Sequence, residues 1–163
     1  MTTPIVVGAR IPAATLNILA DGVRSIGTDE VFADANVLLF AVPGAFTPTC
    51  SNRHLPGYVE HLAEFERRGI KVACLAVNDA FVMHAWAQSQ NVPASLTMLA
   101  DGNGTFTRAL GLEMDGSAVG MGLRAKRFAL YAENGVVKLL HVEAPGELRV
   151  SSAQAMLDAL DTL

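Results

Sequence analysis

Two apolar runs with no alternation stand out along the chain. Ala35 to Val42 (ANVLLFAV) and Ile70 to Val77 (IKVACLAV) are broken only by Asn36 and Lys71, the pattern of parallel strands covered on both faces. Between them, Val59, Leu62, Ala63 and Phe65 recur at helical spacing within Thr49 to Gly69, and Arg67-Arg68-Gly69 ends the segment as a helix C-terminus ends. Strand, helix and strand make a βαβ unit. Asp79 to Ser89 reads as a second helix capped by Asn78 or Asp79, Leu96 to Ala100 as a short strand, and Gly104 to Leu110 as a third helix. Two hairpins flank this centre. Thr15 to Leu19 and Val23 to Ile26 surround the turn Ala20-Asp21-Gly22, and Arg127 to Ala132 and Val136 to Val142 surround Glu133-Asn134-Gly135. The chain closes with Ser151 to Leu163, an amphipathic helix with Ser151 or Ser152 as cap and Ala155, Leu157, Leu160 and Leu163 toward the core. The fold class is α/β.

Composition narrows the function. At 163 residues with 51% hydrophobic and 17% charged residues, the chain has enough apolar side chains to close a core without staples, and it is read as one domain over residues 1–163. A net charge of -4 with scattered basic residues, densest at Arg124, Lys126 and Arg127, argues against nucleic acid as a partner. The first residues show no basic segment followed by a long apolar stretch, and no continuously apolar run reaches the roughly 18 residues that cross a bilayer. A cytoplasmic protein without membrane contact is the expectation. Two cysteines, Cys50 and Cys74, are too few for a disulfide scaffold and suit a reducing compartment.

The candidate chemistry lies in FAVPGAFTPTCSNRHLPGY, Phe40 to Tyr58, where the first apolar run gives way to the helix. With Thr47 as N-cap, Pro48 occupies N1, where its missing N–H costs nothing, and Cys50 falls in the first turn. Unpaired backbone N–H groups and the positive end of the helix dipole there favour an anion. Thr-Pro-Thr-Cys also has the spacing of a redox C-x-x-C with threonine in the first place. Cys50 therefore reads as a nucleophile, against the plain alternative of a buried structural thiol.

PGAFTPTCSNRHLPGY, with VACLAVNDAFVMHAWA and KRFALYAENGVVK after it, resembles the peroxiredoxins, specifically the type II or peroxiredoxin-five subfamily, over nearly the whole chain. The resemblance implies a thioredoxin-like fold with a central mixed sheet flanked by helices and an N-terminal β-hairpin. It also implies thiol-dependent reduction of peroxides, no metal or organic cofactor, and a homodimer. By position, it makes Cys50 the peroxidatic cysteine, Thr47 the hydroxyl beside it, Pro43 the residue that shields the pocket, and Arg127 the guanidinium above the thiolate. Arg124 lies three residues too early for that role. Some members carry a resolving cysteine just before the last helix, where this chain has Val150. An external thiol, from glutathione, glutaredoxin or thioredoxin, is then the expected reductant.

Magnitudes say what the donors must do. A helix terminus contributes about 0.3 to 1 kcal/mol to an anion, and a charge-assisted hydrogen bond from Arg127 about 1.5 to 3 kcal/mol. Complete ionisation gains only about thirtyfold, because a free cysteine is already a few per cent thiolate at neutral pH. Any larger acceleration must come from donors that hold both peroxide oxygens as charge grows on the departing one. The remaining candidates read as structural. Cys74 lies inside a buried strand pattern, and His54 suits packing or a backbone hydrogen bond better than a role as base. His84 and Trp86 suit core or dimer contacts. Asp101-Gly102-Asn103-Gly104-Thr105 mimics the opening of a calcium loop, but Phe106 and Leu112 stand where that loop needs Gly and Glu. The rival to an enzyme is a redox-sensing or chaperone-like binding protein that uses Cys50 oxidation as a signal.

Overall fold

The computed structural model describes residues 3–163. In chain order the elements are β1 (Thr15–Leu19), β2 (Val23–Gly27), α1 (Thr28–Phe32), β3 (Asn36–Ala41), α2 (Leu55–Glu60), α3 (Leu62–Arg67), β4 (Ile70–Ala76), α4 (Ala80–Ser89) and β5 (Leu96–Ala100). Then follow α5 (Thr105–Leu110), β6 (Glu113–Asp115), β7 (Leu123–Ala125), β8 (Phe128–Glu133), β9 (Val136–Val142) and α6 (Ala153–Leu160). Seven strands form one mixed sheet in the order β2-β1-β5-β4-β3-β8-β9, with β3, β4 and β5 parallel and the outer strands antiparallel. β6 and β7 pair separately.

The two apolar runs are the parallel centre of this sheet, and each feeds both faces because successive side chains alternate. Leu38, Phe40 and Val42 pack with Leu55, Tyr58, Cys74, Trp86 and Met156 on one face. Val37, Leu39 and Ala41 pack with Phe32, Leu75, Phe106 and Phe128 on the other. Both predicted hairpins are present. Asp21 and Gly22 turn the first with φ of 53° and 96°, and Asn134 and Gly135 turn the second with φ of 47° and 77°, left-handed values that Asn, Asp and Gly adopt at least cost.

The helix expected within Thr49 to Gly69, bent at Pro56-Gly57, is in fact three pieces. Cys50–His54 forms a π-helical turn, closed by the Leu55 N–H donating to the Cys50 carbonyl, and α2 and α3 follow, separated at His61. Pro56 accounts for the first break: with no N–H it cannot donate to the Asn52 carbonyl, and its ring crowds that carbonyl, so the turn widens instead. Ala63, placed on the apolar stripe by its spacing, is exposed, whereas Leu62 and Phe65 are buried. In α6, Ser152 is the cap, accepting from the Ala155 N–H. Met156 and Leu157 face the core while Leu163 is 65% exposed, because the helix ends at Leu160.

Candidate active site

Cys50 and Arg127 meet because of strand register. β3 and β8 are antiparallel neighbours with Ala41 opposite Phe128, so the residue that precedes β8 lies beside the loop that leaves β3 for Cys50. The Arg127 Nη2 donates to Cys50 Sγ at 3.2 Å. Cys50 is completely buried, next to the π-helical turn it begins. A sulfur held there faces a fixed cation with little water between them, so the guanidinium acts on charge that develops at the sulfur or at an oxygen beside it with less screening than in solution.

Arg127 has a second partner, which fixes its plane. Its Nη1 donates to His54 Nδ1 at 2.8 Å, and the other ring nitrogen of His54 lies 3.0 Å from the Ser151 carbonyl. An arginine only donates and a carbonyl only accepts. The His54 proton is therefore on Nε2, and Nδ1 offers a bare lone pair to the guanidinium. Burial, reinforced by the Arg127 charge and opposed by the Ser151 carbonyl and Glu143, pushes the His54 pKa down to about 3. His54 is thus neutral at physiological pH and both nitrogens are occupied, so it is no base for peroxide; it orients Arg127 without neutralising it. The expected backbone hydrogen bond of His54 is present, to Ser151, and the link to Arg127 is additional.

The Ser151 carbonyl is itself held. Tyr58 donates its hydroxyl proton to it at 2.7 Å, and the Glu143 carboxylate accepts from the Arg149, Val150 and Ser151 amides and the Ser151 hydroxyl at 2.7 to 3.0 Å. Burial alone raises the Glu143 pKa, but these donors, the Ser151 hydroxyl foremost, outweigh it and hold the carboxyl below its usual range. Glu143 also gives its own N–H to the Arg127 carbonyl at 2.9 Å. The two ends of the network close on the same arginine.

Thr47 does less capping than its position promised. Its hydroxyl donates to the Gly44 carbonyl at 2.7 Å instead of accepting from a helix N–H. The one hydroxyl proton is committed, so toward a substrate Thr47 presents an acceptor. Pro43 is half-buried in the same loop, whose Ala45 N–H donates to Asn78 Oδ1 at 3.0 Å. Asp79, not Asn78, caps α4. Trp86 is fully buried and donates from Nε1 to Ser51 Oγ at 3.0 Å, beside the cysteine, whereas His84 is exposed.

Cys74 pairs with Phe40 in the β3–β4 register and is fully buried on the Cys50 side of the sheet. Burial, with the neighbouring Cys50 as a second cause, holds its thiol well above the ordinary range. It stays protonated and inert. Asp101 accepts from the Phe106 and Thr107 amides and the Thr107 hydroxyl, so the mock calcium loop is a turn that starts α5. Among the described residues no three His, Cys, Asp or Glu side chains are grouped to hold a metal ion. No helix among them is long and apolar enough to cross a membrane.

The sequence pointed to Cys50, Thr47, Pro43 and Arg127 and missed Asn78, Ser151, Glu143 and the role of His54. No local signal could have found the last set, since Ser151 lies 97 positions from His54.

Comparison with known proteins adds the lineage. Residues 6–157 match the Redoxin family. Peroxiredoxin-2E-2, chloroplastic, of Oryza sativa subsp. japonica is 48% identical over 163 residues, covering 96% of this chain and 72% of that one. Peroxiredoxin-2E, chloroplastic, of Arabidopsis thaliana is 45% identical over 98% of this chain and 71% of the relative. Among solved structures, reduced Prx3 in complex with H2O2 from Vibrio vulnificus superposes with a TM-score of 0.92 at 49% identity, covering 96% of this chain and 99% of that one. The expected cytoplasmic location is overturned by the two plant relatives, which are chloroplastic proteins; it rested on the pattern of the first residues, the lack of a bilayer-crossing run and the low cysteine count, none of which separates one reducing compartment from another.

Proposed function

Because the chain belongs to the Redoxin family, and within it to the peroxiredoxins, which reduce peroxides at the expense of thiols, we propose that Cys50 is its peroxidatic sulfur, with Thr47, Arg127 and Pro43 as the pocket around it in one domain spanning residues 1–163. The observation that carries this assignment is the 3.2 Å contact from Arg127 Nη2 to Cys50 Sγ, beside a loop that offers the Thr47 hydroxyl.

The steps follow from the donors. The Cys50 thiolate attacks the terminal oxygen of a hydroperoxide, forming the S–O bond as the O–O bond breaks, and leaves Cys50 as a sulfenic acid. The departing alkoxide or hydroxide takes up one proton. Arg127 stabilises the charge that moves from sulfur to oxygen, since Nη2, which carries two N–H donors, stands at the sulfur and the guanidinium is always protonated. Thr47 accepts the hydrogen of the attacked oxygen and so fixes its direction. Pro43, which has no N–H, walls the pocket without competing for peroxide.

With no cysteine near Val150 and Cys74 buried as a neutral thiol, a thiol from outside attacks the sulfenic sulfur and expels water. A second thiol then releases Cys50. Glutathione, glutaredoxin and thioredoxin are the candidates. Exposed Phe46 and Phe81 are the contact residues of a homodimer. Mass spectrometry after one equivalent of peroxide, with and without glutathione, tests the scheme. A glutathione adduct confined to Cys50 agrees with it, and a Cys50–Cys74 bridge contradicts it.

A further inference from the structure

Arg124 was set aside in favour of Arg127, yet it also reaches the active-site loop. It is half-buried, forms no ion pair among the described residues, and turns its donors on two backbone carbonyls. Nε donates to Met121 at 2.9 Å, and Nη1 donates across 81 positions to Pro43 at 3.2 Å. The guanidinium lies directly against Gly44: a methyl group there would stand 2.7 Å from Arg124 Nη1, 3.2 Å from Thr47 Cγ2 and 3.3 Å from Met121 Cε. Gly44 has no positive φ to justify its lack of a side chain. Space for the arginine does.

The next residues explain what such a clamp is for. The Gly44 carbonyl, in the peptide next to the one whose carbonyl Arg124 holds, takes the Thr47 hydroxyl proton. Asn78 anchors the following N–H, that of Ala45, from the other side. Phe46 between them is held at φ of 66°, a left-handed conformation that costs a side-chain-bearing residue about 1 kcal/mol or more and persists only where its surroundings impose it.

We propose that Arg124 is a positioning residue of the peroxide reaction, fixing the Pro43–Gly44 peptide so that Thr47 keeps its proton on Gly44 and its lone pair free for substrate. The inference rests on the acceptor role assigned to Thr47 above. It predicts that Arg124 acts through Thr47, not through its own charge.

The test is a double-variant cycle on the rate at which reduced protein reacts with hydrogen peroxide, followed by Trp86 fluorescence, with alkylation of Cys50 by iodoacetamide as a control. Arg124→Met and Thr47→Val are each expected to slow the peroxide reaction about 10- to 100-fold, as small misplacements of a positioning group do, and to leave alkylation at the wild-type rate. The double variant is expected to be no slower than Thr47→Val alone. Arg124→Lys, which keeps the charge but lacks the planar fork whose Nε and Nη1 each reach a different carbonyl, should also be slow, and it serves if the methionine variant does not fold. Wild-type peroxide rates in Arg124→Met or Arg124→Lys, or losses that multiply in the double variant, would overturn the proposal while the Thr47 assignment stands. A wild-type rate in Thr47→Val would remove that assignment and the proposal with it.

Discussion

Arg127 gives one nitrogen to sulfur and one to a neutral imidazole, and this division explains why the residue beneath it is histidine. A carboxylate in that place would hold the guanidinium as well but would cancel the charge that the reaction uses. Two predictions belong at this scale. Arg127→Lys removes the planar two-point donor and is expected to slow peroxide reduction about 100-fold or more, the cost of losing one aimed donor at a developing oxyanion; stopped-flow oxidation of reduced protein measures it, and a wild-type rate would show the fork to be unnecessary. His54 makes stability depend on pH. Its pKa is about 3 in the folded protein against 6.5 without the fold, so below pH 6.5 the unfolded chain takes a proton that the folded one refuses. That contribution is present above 6.5 and is lost as the pH falls, at about 1.4 kcal/mol per unit until the folded pKa is reached. Urea unfolding between pH 7 and pH 4.5 should show this slope, and His54→Gln should flatten it. Cys50 was legible in the sequence because a compact motif marks it, and Arg127 through the family resemblance, which places an arginine just before the late hairpin. The imidazole tautomer was not, since it depends on a carbonyl brought in from the far end of the chain.

The turn that carries Cys50 is the least regular element near the core. Cys50 is completely buried behind the closed turn, so resolution by glutathione, as proposed above, requires Cys50–His54 to loosen after oxidation. The Trp86–Ser51 hydrogen bond is one of its tethers. Ser51→Ala leaves the buried indole N–H unpaired, a cost of about 1 to 3 kcal/mol that falls on the closed form. The expected outcome is faster mixed-disulfide formation with glutathione, read by quench and mass spectrometry; an unchanged or slower step would show that the turn does not limit access. Legibility at this scale followed burial pattern. Strands covered on both faces and hairpins with Asp-Gly or Asn-Gly turns were evident from composition. α1, β6 and β7 were not, because elements of five or three residues carry no period to detect. Pro56 cannot continue a regular helix, but only the register of the Leu55 N–H shows that the break is a π turn.

At the scale of the molecule, the sheet brings the end of one strand and the start of its antiparallel neighbour to the same edge, and the reactive sulfur is placed there between a basic residue and a helical turn. Phe46 and Phe81, 55% and 63% exposed, are large apolar side chains left without cover. If they meet in a homodimer, Phe46→Asp should shift sedimentation from dimer to monomer, whereas a monomeric parent chain would refute that contact. The central claim concerns one atom, and the most direct measurement compares peroxide consumption by the parent chain, Cys74→Ser and Cys50→Ser with a thiol reductant present. The account predicts turnover in the first two and none above the protein-free rate in Cys50→Ser. Undiminished consumption by Cys50→Ser would contradict it.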